Sequence, residues 1–162
     1  MGATLFQSRL STIVGALKEI SIPDTVTTIE SGAFGGTGIS EFAYPPHVTA
    51  ISGLGDMPRL TRVEIGENAV SVTGMGNCPL LETLIIRATT PPTTDYWTLL
   101  NAPRIPNIYV PDTAVSAYKT ASGWSKWRHI FGQISENGRK LVRTAERKFL
   151  RRSFQLFLWY FL

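Results

Sequence analysis

One spacing recurs five times along this chain, and it limits the fold more than any other feature. Leu17-x-x-Ile20-x-Ile22-Pro23 returns as Ile39-x-x-Phe42-x-Tyr44-Pro45 and as Leu60-x-x-Val63-x-Ile65-Gly66. It returns again as Leu81-x-x-Leu84-x-Ile86 and as Ile105-x-x-Ile108-x-Val110-Pro111. The steps between copies are 22, 21, 21 and 24 residues. Self-similarity at a period near 20 predicts a repeat solenoid in which each copy is one turn. The expected fold is mainly β: four to five turns of 21–24 residues, a parallel sheet on one face and a C-terminal helix.

The rest of each copy keeps register. A second apolar pair follows the first strand: Val26 and Ile29, Val48 and Ile51, Ala69 and Val72. A third inward group is Phe34, Leu54 and Met75, and a smaller column holds Thr37, Met57, Cys78 and Ala102. Residues two apart in a strand share a face, so Ile20 and Ile22 point inward together. Pro23 has no amide hydrogen to continue a ladder and turns the chain. One such turn cannot bury its own apolar edge. Stacking at about 4.8 Å buries it against the next.

These residues resemble the BspA-type class of bacterial leucine-rich repeats. "SIPDTVTTIESGAF" (21–34) matches its strand, Val-x-x-Ile and Ala-Phe elements, and Cys78-Pro79-Leu80-Leu81 matches its Cys-x-x-Leu element. "ATTPPT" (88–93) and "IYVPDTAVSAYKTASGW" (108–124) are similar to the terminal segment of such proteins. The resemblance covers about residues 17 to 137. It implies a short or truncated member of the family, with a non-catalytic adhesion or interaction role at a bacterial surface or in secreted form. Copies two and three lack the Ala-Phe pair, copy four carries an insertion around "DYWTLL", and residues 1–20 show no secretion-signal pattern.

The expected organisation is a cap over 1–16, the array over 17–111, a capping segment with a helix over 112–138 and a basic, aromatic tail over 139–162. Phe6, Leu10, Ile13 and Leu17 recur at helical spacing, so residues 4–15 read either as a capping helix or as a degenerate first turn. In the C-terminal segment Asp112 is the expected N-cap, Ala114 to Thr120 the helix and Gly123 its stop. Trp124 and Trp127 are expected to cover the last turn's apolar edge.

Charge divides the chain unevenly. Residues 139–162 hold seven Lys or Arg and one Glu, so the net +4 arises in the tail while residues 1–138 carry −2. Nucleic acid is therefore not an expected partner of the main body. In the tail Leu141, Val142, Ala145 and Phe149 sit at helix spacing among Arg143, Arg147, Lys148 and Arg151. Phe154, Phe157 and Trp159 follow. Such a basic amphipathic stretch suits a weak membrane-surface contact. It reads equally as a segment folded back on the array, a disordered end or sequence foreign to the family.

Catalytic motifs are missing. His47 and His129 have no ligand at a metal-binding offset, and Ser, His and Asp form no nucleophile pattern. The glycines of "GAFGGTG" lack the Lys-Ser/Thr of a phosphate cradle. No catalytic, metal or cofactor site is expected, and Cys78 reads as a buried structural thiol. What repeats do offer is a sheet face. Its outward positions form one ladder of Glu19, Glu41, Arg62, Thr83 and Asn107, and a second of Ser21, Ala43, Glu64, Ile85 and Tyr109. These ladders are the candidate site for a protein or glycan partner.

Overall fold

The computed structural model describes residues 3–5, 21–95, 98, 106–134 and 141–143. The chain is mainly β, with two parallel sheets and little helix. Strands of the two sheets alternate along the sequence. The first sheet holds β1 (Ala3–Leu5), β2 (Val26–Ile29), β4 (Ala50–Ile51), β6 (Ser71–Val72) and β8 (Thr93–Thr94), paired in that order. The second runs from β3 (Glu41–Ala43) through β5 (Arg62–Ile65), β7 (Thr83–Ile86), β9 (Asn107–Pro111) and β10 (Phe131–Ile134) to β11 (Leu141–Arg143). Every pairing is parallel except that of β11, which runs antiparallel to β10.

The register follows the spacing of the copies. Glu41 pairs with Arg62, Arg62 with Thr83 and Thr83 with Asn107, so the 24-residue step is absorbed outside the ladder. The first sheet is an addition to the single sheet expected from sequence. Its strands are the second apolar pairs, with Thr28 beside Ala50, Ala50 beside Ser71 and Ser71 beside Thr93. Two-residue strands carry too little alternation to be legible as β.

Inward columns form one continuous core. Ile29, Ile51 and Val72 are fully buried, as are Leu54, Met57, Leu60, Val63, Leu84 and Ile108. Each such side chain contributes roughly 1.5–3 kcal/mol on leaving water, set against the entropy of ordering the chain. Gly53 is required by this packing, because a Cβ there would lie 2.4 Å from Cγ2 of Ile29. At one corner three successive copies place Gly36, Asp56 and Asn77 at φ of 73°, 59° and 58°. Gly36 N–H donates to the Asp56 carbonyl at 2.8 Å and Asp56 N–H to the Gly76 carbonyl at 3.1 Å. Asn77 Nδ2 also donates to Asp56 Oδ1 at 2.8 Å. Glycine, aspartate and asparagine are the residues that enter this left-handed region at least cost.

The ends differ from expectation in two places. Ala3–Leu5 is a strand lying parallel on β2, with Ala3 beside Val26, so Thr4 and Leu5 do not begin a helix. That position is one period upstream of Val26, where a degenerate preceding copy would put it. The rest of residues 6–15 lies outside the described residues. In the C-terminal segment Asp112–Ala114 forms a 3-10 turn and α1 spans Val115–Thr120, with Ala114 at the N-cap position and no side-chain cap. Asp112 therefore does not cap the helix, because the extra 3-10 turn shifts its start. Gly123 adopts φ of 79° three residues after the helix ends.

Trp124 and Trp127 are buried, as expected for an edge cover. Tyr118 Oη donates to the Ala88 carbonyl at 2.9 Å, and Trp124 Nε1 donates to the Pro92 carbonyl at 2.6 Å. The rings meet at 5.6 Å between Tyr118 and Trp124 and at 5.7 Å between Trp124 and Trp127, both edge-to-face.

Candidate functional site: the outward face of the six-stranded sheet

The outward face takes its order from strand alternation. In β5, Val63 and Ile65 are buried while Arg62 and Glu64 face away from the core. Parallel register then brings Glu41, Arg62, Thr83 and Asn107 into one row and Ala43, Glu64, Ile85 and Tyr109 into the next. Glu19 lies outside the described residues. Ser21 is exposed but belongs to no strand, so the described face begins at β3.

One half of the face is charged and linked. Arg62 Nη2 donates to Glu64 Oε2 at 3.1 Å, and Arg62 Nε lies 3.9 Å from Glu41 Oε2. Arg87 Nε donates to Glu64 Oε1, so the Glu64 carboxylate bridges two guanidiniums. The exposed side-chain fractions are 68% for Glu41, 37% for Arg62, 22% for Glu64 and 39% for Arg87. Bridged carboxylates of this kind hold their geometry better than isolated surface pairs, although each contact contributes only about 0–1 kcal/mol.

Arg87 was not among the residues singled out from sequence, yet the signal was there. It occupies the position after the strand, which is Pro23, Pro45, Gly66 and Pro111 in the other copies. Unlike proline it has an amide, and its N–H donates to the Ile65 carbonyl at 3.0 Å. The backbone thus runs one residue further beside β5 and holds the guanidinium over Glu64.

The other half is not open. Ile85 and Tyr109, expected as presented surface, are 1% and 8% exposed and cluster with Ile134, which is 5% exposed. This cluster is separate from the main core. Thr83 and Asn107 are half-buried beside it. In the tail, Arg143 ends β11, paired with Gly132. Arg147, Lys148, Arg151, Phe154, Phe157 and Trp159 lie outside the described residues.

Cys78 is buried, its thiol donates to the Leu54 carbonyl at 2.9 Å, and burial pushes its pKa up. His47 Nδ1 stands 3.6 Å from Asp24 Oδ1 at adjacent turns of the chain. Among the described residues no group of His, Cys, Asp and Glu could hold a metal ion, and no helix is long and apolar enough to cross a membrane. Compared with family models and with characterised proteins, the chain matches none.

Proposed function

We propose that the two sheets are two sides of a short leucine-rich-repeat solenoid of the BspA type, and that the protein is a non-catalytic binding module. The docking surface is the charged half of the six-stranded sheet's outward face, and the partner is a protein or glycan met at a bacterial surface or in secreted form. The observation that carries this reading is the linked set Glu41, Arg62, Glu64 and Arg87. Parallel strands hold these alternating charges in one plane, with neighbouring strands about 4.8 Å apart. Charges already fixed by one another lose little freedom on docking, so they favour specificity for a partner with the complementary pattern.

The test is a glycan array and a panel of extracellular matrix proteins, probed with the native chain and with an Arg62→Glu, Arg87→Glu variant. A partner using this face should lose at least about tenfold in affinity for the variant. Equal binding by both would remove the face from the proposal. A reproducible hydrolase or transferase activity that survives repurification would replace a binding role with an enzymatic one.

A further inference from the structure

Glu41, Arg62, Glu64 and Arg87 follow one another across three strands: Glu41 in β3, Arg62 and Glu64 in β5, and Arg87 one residue past β7. Their ion contacts run in the same order, Glu41 to Arg62 at 3.9 Å, Arg62 to Glu64 at 3.1 Å, then Glu64 to Arg87. The four charges thus alternate in sign along one line and sum to zero. These contacts do not exhaust them. A guanidinium has five N–H donors in its plane. Within the set Arg87 gives only Nε, and Arg62 uses Nε and Nη2. Glu41 keeps 68% of its side-chain surface. On the β3 side the neighbours are small: Ala43 beside Glu64, and Gly66 beside Arg87.

Charges in the order minus, plus, minus, plus read plus, minus, plus, minus when the line is reversed. A two-fold axis in the contact plane, crossing the line between Arg62 and Glu64, reverses it. Every charge of one copy then meets its opposite on the other. Glu41 meets the partner's Arg87, and Arg62 meets the partner's Glu64. We infer that the charged half of this face pairs with the same half of a second copy of this chain, as an isologous dimer. The inference rests on the reading of this half as a docking surface, and it names the partner. A second copy carries the complementary pattern by symmetry, with no further requirement. Ile85 and Tyr109, 1% and 8% exposed, have little apolar surface to add to the contact. Exposed ion pairs contribute little each, so the dimer is weak. It forms at roughly millimolar concentration, the range reached by copies tethered close together.

Sedimentation equilibrium of the full native chain, with no other protein or glycan present, should show monomer and dimer in equilibrium by about 1 mM. Raising NaCl from about 0.15 M to about 1 M shortens the screening length from about 8 Å to about 3 Å and should weaken association at least about tenfold. An apolar contact lacks this dependence. Arg62→Glu, Arg87→Glu makes all four charges negative, and Glu41→Lys, Glu64→Lys makes all four positive. Each variant alone should be monomeric, and the two mixed should form a heterodimer. A native chain that stays monomeric, a dimer that persists in either variant alone or does not weaken with salt, or a mixture that stays monomeric would overturn the inference. The salt series on the native chain decides the matter if a variant does not fold. A monomeric native chain overturns this inference and leaves the glycan and matrix-protein test of the face to be decided on its own. A salt-sensitive native dimer with no hit on that panel supports it and removes only the other partners.

Discussion

Aromatic side chains close the fold at two places, and they do so by different means. In the C-terminal segment Tyr118 and Trp124 each use their polar atom, giving a hydrogen bond to the Ala88 and Pro92 carbonyls while the rings pack edge-to-face. Toward the other end Phe34, Phe42 and Tyr44 also pack together, at 4.9 and 4.8 Å between centroids. There the Tyr44 hydroxyl is buried and has no hydrogen-bond partner among the described residues. The first cluster ties two chain segments some 30 residues apart, whereas the second fills space. Equal burial thus conceals unequal anchoring: a hydroxyl that reaches a carbonyl specifies position, and one that does not adds only its ring.

Four measurements would break or sharpen this contrast. The largest effect belongs to Trp124→Ala, which removes a fully buried ring and leaves the Pro92 carbonyl unpaired. It should cost about 3–5 kcal/mol in urea or thermal unfolding. A loss under about 1 kcal/mol would show that the cap is dispensable. Alkali comes next. Burial raises the pKa of Tyr44 well above its ordinary 10.0, and burial likewise raises Tyr118 and the Cys78 thiol. For each of these groups the unfolded chain gives up its proton first. Their contribution is complete below the ordinary values of 9.0 for the thiol and 10.0 for the phenols. It is lost as pH rises through the higher folded values. Stability should therefore show no loss from these groups between pH 7 and 8 and should fall progressively above about pH 9. A fall beginning near neutrality would assign the transition to other groups.

Tyr118→Phe should be smaller, about 1–2 kcal/mol, since the Ala88 carbonyl loses its donor while the ring remains. Tyr44→Phe should be the smallest, within about 0.5 kcal/mol of the native chain or slightly stabilising, because no hydrogen bond is given up. Thermal melts of the two Phe variants side by side decide the matter. If Tyr44→Phe costs as much as Tyr118→Phe, both hydroxyls are anchored and the contrast disappears.

Much of this architecture was legible in the spacing of Leu, Ile and Val. The ladders Glu41–Arg62–Thr83–Asn107 and Glu64–Ile85–Tyr109 follow from counting periods, because a parallel sheet has only one register that keeps every inward residue inward. The second sheet was not legible, since two-residue strands such as Ala50–Ile51 have no alternation to read. The helix start was displaced by the 3-10 turn at Asp112–Ala114, a local choice that propensities do not separate from a first helical turn. At the candidate site the identity of the face could be read, but its coverage could not. Whether Ile85 is presented or hidden depends on what packs against it, Tyr109 and Ile134 among its neighbours, and outward direction on a strand says nothing of that. Arg87 escaped attention because it interrupts a column of proline and glycine without any change in the apolar pattern.

The stacked corner at Gly36, Asp56 and Asn77 limits how such a chain can change in length. Each of these residues sits in a backbone region that few side chains tolerate, and Gly36 and Asp56 each donate to the corner one period on, while Asn77 donates to the one before. A slip of one residue in the pairing of a strand would turn its inward side chains outward, and a slip at a corner would place an ill-suited side chain at a position requiring positive φ. Loss or gain of a whole period leaves every corner and every face in phase. Growth by duplication of entire units is then the least disruptive route open to this sequence, and residue-by-residue variation is confined to places outside both ladders, such as the insertion before β9.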